Sequence, residues 1–316
     1  AEAKLLESGV MLPTTSDGGN FALSRVVPNT ANNVLWGNDM YRYENLLICT
    51  DFIKVADRNA LKAKYVELKG TGTFTSYAKQ YLADNGYTLK DSYTFGYSSD
   101  PQTWDILGTY RSADNEAIIN TYDGLVSYDN EGRLVYALAE DVKVSDDGLT
   151  YTFTLRDGLK WVTSQGEEYA DVTAQDFVDG MKRLLDLQAG LEYLVCGIVA
   201  NAEEYLSGSI TDFAQVGVKA TDDKTVVYTL CQPTSYFMTM LTYNIYAPVC
   251  ASYAESKGES YAVDPDNILY CGPYLVSSFT SNNKIVFSAN PTYWDAANIQ
   301  IKTITWNYYD GKDVTA

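Results

Sequence analysis

The stretch from Thr150 to Leu185 constrains the fold most, because within it the spacing of apolar side chains changes from every second residue to every third or fourth. Thr150-Tyr151-Thr152-Phe153-Thr154-Leu155-Arg156 alternates, with Tyr151, Phe153 and Leu155 on one face and the threonines on the other, which predicts a half-buried strand. From Thr173 the pattern is helical. Thr173 and Asp176 have the spacing of a capping box, Val172 and Phe177 can close a hydrophobic staple, and Phe177, Met181, Leu184 and Leu185 form an apolar stripe that Gly190 should stop.

Other segments read by the same rules. Met11 to Pro13 and Phe21 to Val27 are short extended pieces around the Gly18-Gly19 turn. Asp57 to Leu68 and Phe74 to Leu82 predict two helices, the second ended by Asn85-Gly86. Lys69-Gly70-Thr71-Gly72-Thr73 between them is small and polar, and reads as a linker joining two modules. Turns at 129–132 and 146–148 each lead into a strand. Strands at Thr225 to Leu230, Lys284 to Phe287 and Ile301 to Tyr309 follow, with a short helix near Ser235 to Leu241 and a turn at Cys271-Gly272-Pro273. Without a regular βαβ beat or an internal repeat, the expected class is α+β or a mixed-sheet α/β fold.

Composition removes whole classes of function. At 316 residues the chain can bury a sizeable core, and a formal charge of −18 repels phosphate backbones, so nucleic acid is not an expected partner. The sequence has no histidine, which excludes Ser-His-Asp and Cys-His catalysis and imidazole metal ligation. Cys49, Cys196, Cys231, Cys250 and Cys271 contain no CxxC pair and read as buried free thiols. No run of apolar residues is long enough to span a bilayer, and the chain reads as soluble as given.

Motif matches are weak. Gly70-Thr71-Gly72 lacks the third glycine of a dinucleotide loop, and Ser76 to Lys79 matches SxxK without its partner motifs. Asp264-Pro265-Asp266-Asn267 starts like a calcium loop but continues with Ile268, and reads as an acidic turn. Glu140-Asp141, Asp146-Asp147, Glu167-Glu168, Glu203-Glu204 and Asp222-Asp223 read as solvated surface. No cofactor or metal is expected. The wealth of tyrosine, 27 residues, with Trp, Ser, Thr and Asn suits either a polar-ligand surface or a core rim.

Longer strings carry a specific likeness. Thr109 to Glu116, Asn120 to Val126, Ala137 to Glu140, Ser145 to Trp161, Val172 to Phe177, Val216 to Ala220, Tyr270 to Leu275, Asn290 to Asp295 and Ile304 to Trp306, in this order and spacing, resemble the oligopeptide-binding family of ABC-transporter substrate-binding proteins. Residues 1–68, with AEAKLLESGVMLP, Ser24 to Pro28 and Trp36 to Asp39, resemble the C-terminal end of such receptors, yet stand first. The chain thus resembles lobe one with its terminal segment permuted or excised, and without the large second lobe.

The resemblance implies an α/β, mixed-sheet, periplasmic-binding-protein-like lobe (residues 1–117 and 210–316) and a smaller inserted α+β subdomain (residues 118–209). It implies a receptor rather than an enzyme, with an oligopeptide ligand, a membrane ABC permease as partner, and an extracellular place on a Gram-positive surface through a lipidated N-terminus in the full-length protein. Its cleft face is expected at Thr109, Tyr110, Arg111, Ser112 and Asn115, the Ser16 to Asn20 turn, Tyr236, Tyr270, Cys271, and the strand end at Trp306 and Tyr308. An oligosaccharide or metal chelate as ligand, or a carboxylate-dependent glycoside hydrolase, are the alternatives.

Overall fold

The structure is a computed structural model that describes residues 24–31 and 42–310. Two four-stranded sheets organise it. In the first, β1 (Ser92–Tyr97) lies parallel to β12 (Thr303–Tyr308), which pairs antiparallel with β11 (Lys284–Ala289), itself paired with β10 (Tyr274–Thr280). The sheet is therefore mixed, and the β1–β12 pairing unites strands from opposite ends of the described chain. Phe95 faces Trp306 across the parallel pair, and the Trp306 indole also meets Phe287 at 5.1 Å.

The second sheet is antiparallel, in the order β4 (Ala139–Val144), β5 (Thr150–Leu155), β9 (Thr225–Thr229), β8 (Val218–Asp222). The alternation of β5 is realised: Tyr151, Phe153 and Leu155 are buried and the intervening threonines are half-buried. The helix α4 (Ala174–Leu187) packs across β8 and β9 and buries Phe177, Met181, Leu184 and Leu185. Its stop lies earlier than Gly190, at Gln188, whose φ of 49° puts a non-glycine residue in the left-handed cap. The boundary expected at residue 209 divides this sheet, because β9 pairs with β5 of the inserted unit and β8 pairs with β9.

Smaller hairpins complete the architecture: β2 (Val126–Tyr128) with β3 (Leu134–Tyr136), and β6 (Lys160–Val162) with β7 (Glu168–Asp171). Trp161 on β6 is 3% exposed, and its Nε1 donates to the Asp176 carboxylate at 3.0 Å. That carboxylate also accepts the Thr173 N–H at 2.7 Å, so the capping box of α4 is tied to the core tryptophan.

The linker reading of Lys69 to Thr73 is corrected. The stretch is a tight connection between α1 (Val55–Leu68) and α2 (Phe74–Asp84), which share one cluster: Leu61 with Phe74, Ala78 and Leu82, joined by Val27, Leu47, Cys49 and Ile53. Gly70 donates to the Glu131 carboxylate and accepts from Arg133. Residues 46–50 form the wall between this cluster and the main core, with Leu47 and Cys49 on one side and Leu46 and Ile48 on the other. Their backbone bonds to residues 25–27 along one edge and 88–90 along the other, including Cys49 N–H to Arg25 O at 2.8 Å and Lys90 N–H to Ile48 O at 2.7 Å. Residues 24–31 and 42–53 are thus woven into the body, not set apart from it.

All five cysteines are free thiols, but only Cys49, Cys250 and Cys271 are buried; Cys196 is half-buried and Cys231 exposed. Among the described residues, no helix is long and apolar enough to cross a membrane.

Candidate functional site

One buried carboxylate builds the most unusual turn in the molecule. Asp114, in the first turn of the short helix α3 (Ser112–Ile118), is completely buried. It accepts from Thr109 Oγ1 at 2.7 Å, Gln102 N at 2.9 Å and Arg111 Nη1 at 3.0 Å. Thr109 Oγ1 in turn accepts the Arg111 N–H at 3.0 Å. With Thr109 and Arg111 both drawn inward, the residue between them must point out, and Tyr110 is 69% exposed. Arg111 has an extended backbone (φ −78°, ψ 132°), and Ser112 is exposed.

The next turn of α3 is anchored from a distance. Asn115, buried, accepts from Asn244 Nδ2 at 3.2 Å, and the same amide donates to Ile106 O at 2.9 Å. Asn244 follows α6 (Phe237–Met240), and Tyr236, which precedes that helix, is 55% exposed. The Tyr110 ring lies against Gly190, in the loop after α4.

The other expected site residues are placed differently. The side chains of Tyr270, Cys271 and Trp306 are in the core, so these positions can meet a ligand only through their backbone. Tyr270 donates its hydroxyl to Pro265 O at 2.7 Å, and burial raises that hydroxyl well above its ordinary range. Burial likewise raises the Cys271 thiol, which removes it as a nucleophile at neutral pH. Trp306 is wedged among Phe95, Tyr97 and Phe287. Tyr308 is half-buried, edge-on to Tyr97 at 5.5 Å. Ser16 and Asn20 lie outside the described residues.

Three residues of this region were not read from the sequence as part of the site. Asp114 stands where a first-turn acid belongs, a signal that was present but generic. Asn244 and Gly190 gave none, since their partners are brought close only by the tertiary fold.

A second polar cluster is structural. Asp123, 1% exposed, accepts from Arg42 Nη1 at 3.1 Å, the Tyr293 hydroxyl at 2.8 Å and Trp294 Nε1 at 3.2 Å. It clamps residues 42–44 to the turn before β2 and to the segment after β11. Glu44, 3.2 Å from Arg42 Nη2, has its carboxyl pushed up to about 7, chiefly by burial. The acidic pairs at 140–141, 146–147, 167–168, 203–204 and 222–223 are exposed, and Asp264 caps its own turn through the Asp266 N–H at 2.9 Å. Among the described residues, no group of three or more His, Cys, Asp or Glu side chains could hold a metal.

The family described as bacterial extracellular solute-binding proteins, family 5 Middle, matches residues 133–316. The oligopeptide-binding protein AliB of Streptococcus pneumoniae is 42% identical over 257 residues, covering 80% of this chain and 39% of that protein. AmiA of the same organism, also an oligopeptide-binding protein, is 45% identical over 224 residues, covering 70% of this chain and 34% of its own length. Listeria monocytogenes OppA bound to peptide superposes with a TM-score of 0.64 at 29% identity, covering 70% of this chain and 43% of that one. The chain thus spans less than half the length of these relatives. Mixed sheet, sequence likeness and superposition agree, and the chain belongs to the bacterial extracellular solute-binding proteins of family 5.

Proposed function

We propose that this chain is one lobe of an oligopeptide receptor of an ABC importer, which holds a peptide outside the cytoplasmic membrane and passes it to a membrane permease. The observation that carries this reading is the turn at Thr109 to Ser112, where a buried carboxylate fixes the chain and leaves Tyr110 projecting next to an extended Arg111. An extended peptide laid there would add a strand, with backbone hydrogen bonds supplying affinity and side-chain pockets selectivity. Tyr236, Ser112 and Tyr308 would flank it through their side chains, and Tyr270, Cys271 and Trp306 would shape the face from beneath.

The role is binding, not catalysis. The first sheet belongs to the lobe, and the inserted unit begins near residue 118 and includes β8 and β9. Residues 1–68 would stand for a receptor's terminal segment, a reading supported by the bonding of residues 42–50 to 88–90, Asn120 and Asp123. A second lobe outside these residues would close the cleft, and a lipidated N-terminus of the full-length protein would hold it at the surface.

Half a clamp binds weakly. Solvent-exposed hydrogen bonds net about 0.5–1.5 kcal/mol each, too little against the cost of ordering a flexible peptide. Calorimetric titration with a mixed peptide library should show no submicromolar binding by the chain alone, and tight binding once a separately made second lobe is added. Submicromolar binding without it would mean that the cleft is complete here, and no binding even with it would refute the receptor reading. Native mass spectrometry of the reconstituted pair, purified without denaturation, should show a mass excess of peptide size.

A further inference from the structure

The contact between Tyr110 and the loop after α4 exists because residue 190 is glycine. Gly190 has a φ of +112°, a conformation side chains rarely adopt, and a Cβ there would stand 3.4 Å from Cδ1 and 3.7 Å from Cε1 of the tyrosine ring. The loop is held in this shape by Glu192, whose carboxylate accepts the Gly190 N–H at 2.8 Å. The following residue, Tyr193, is 64% exposed, nearly as open as Tyr110. Tyr243 is half-buried, and its hydroxyl is raised by burial first and by Tyr193 second. Tyr243 directly precedes Asn244, the residue that anchors α3 beneath Tyr110.

Large aromatic rings turned to water beside a glycine loop suit a surface awaiting an apolar partner. The adjacent cation is offset by a buried acid, because Arg111 Nη1 lies 3.0 Å from the Asp114 carboxylate. The Glu192 carboxylate holds its own loop. The apolar surface offered at this spot is the exposed ring faces.

We infer that the Gly190–Tyr193 loop is a wall of the peptide site, and that Tyr110, Tyr193 and Tyr243 form a side-chain subsite for an aromatic residue of the bound peptide. This rests on the reading of the chain as a receptor lobe and adds a selectivity to it. The loop belongs to the inserted unit, so that unit would contact ligand directly.

The test uses the full chain and two probes, trialanine and Ala-Phe-Ala, titrated to their solubility limits and followed by chemical-shift perturbation. One ring stacked on a tyrosine should make Ala-Phe-Ala bind roughly three- to tenfold more tightly. Tyr193→Ala should bring the two peptides to similar affinity, whereas Tyr193→Phe, which keeps the ring face, should retain the preference. Gly190→Ala should weaken the preference by straining the loop at its positive φ and shifting the wall that meets the Tyr110 ring, and thermal midpoints of all three variants would confirm that they fold. Equal affinity of the two peptides for the parent chain, or a preference that survives Tyr193→Ala, would overturn the subsite and leave the receptor reading standing. Binding of neither peptide by the folded chain would overturn the subsite, and the failure of the reconstituted pair described above is the separate result that would sink the receptor reading.

Discussion

Trp161 and Asp176 meet in the core beneath α4, and each depends on the other. The indole fills space under α4 and its Nε1 satisfies a carboxylate that burial has pushed up to about 6. Trp161→Ala should therefore cost about 3–5 kcal/mol in urea unfolding, as a large core truncation that also strips a donor from a buried acid. A loss below about 1 kcal/mol would show that the tryptophan is not structural. Glu44 gives a pH dependence with a definite sign. Its carboxyl titrates near 7 in the folded protein against 4.5 ordinarily, so the folded state keeps a proton that the unfolded chain releases. The stability this contributes is full below pH 4.5 and is lost as pH rises through about 7. Asp176 acts with the same sign from 3.8 to about 6. Glu44→Gln should flatten the decline relative to the parent chain between pH about 5 and about 8. An unchanged difference between variant and parent across that range would show that Glu44 is not the group responsible.

The elements obey local rules where those rules are strong. The alternation of β5 and the capping box of α4 were legible because a strand face and a helix cap are decided within a few residues. The joints between elements were not. Gly272 is one of them: it donates to Thr121 O at 3.1 Å and its carbonyl accepts from Asn290 Nδ2 at 2.9 Å, locking the entry of β10 onto the end of α3. A Cβ there would lie 2.4 Å from Tyr122 N and 2.6 Å from the carbonyl carbon of Thr121. Gly272→Ala should destabilise by at least the roughly 1–3 kcal/mol of an overpacked core, since backbone cannot swing aside as a side chain can. Equal unfolding midpoints for variant and parent would mean that the strand entry relaxes freely.

At the scale of the whole molecule, residues 24–31 and 42–68 form part of the body and not a tethered module. They share a core with α2 and a ladder of backbone bonds with residues 88–90, and Tyr43 N–H donates to Asn120 Oδ1 at 2.9 Å. A protease cut between Lys69 and Thr73, in a turn exposed to solvent, should leave both pieces associated on size exclusion without denaturant. Separation of the pieces would show that the contacts of residues 24–31 and 42–68 cannot hold without the covalent link.

By itself, the sequence determined the class of fold, the family, the exclusion of histidine chemistry, and the positions of the strongest strand and helix. Periodicity, capping spacing and the order of motifs are properties of neighbouring residues, so they can be read along the chain. Only the tertiary structure decided that Tyr110 points out while Tyr270, Cys271 and Trp306 point in, that β8 and β9 complete the sheet of β4 and β5, and that a glycine after α4 receives the exposed tyrosine. Which face of a residue meets water depends on partners far along the chain, such as Asn244 for Asn115 and Trp306 for Phe95. Those partners are chosen by packing, and packing leaves no local mark.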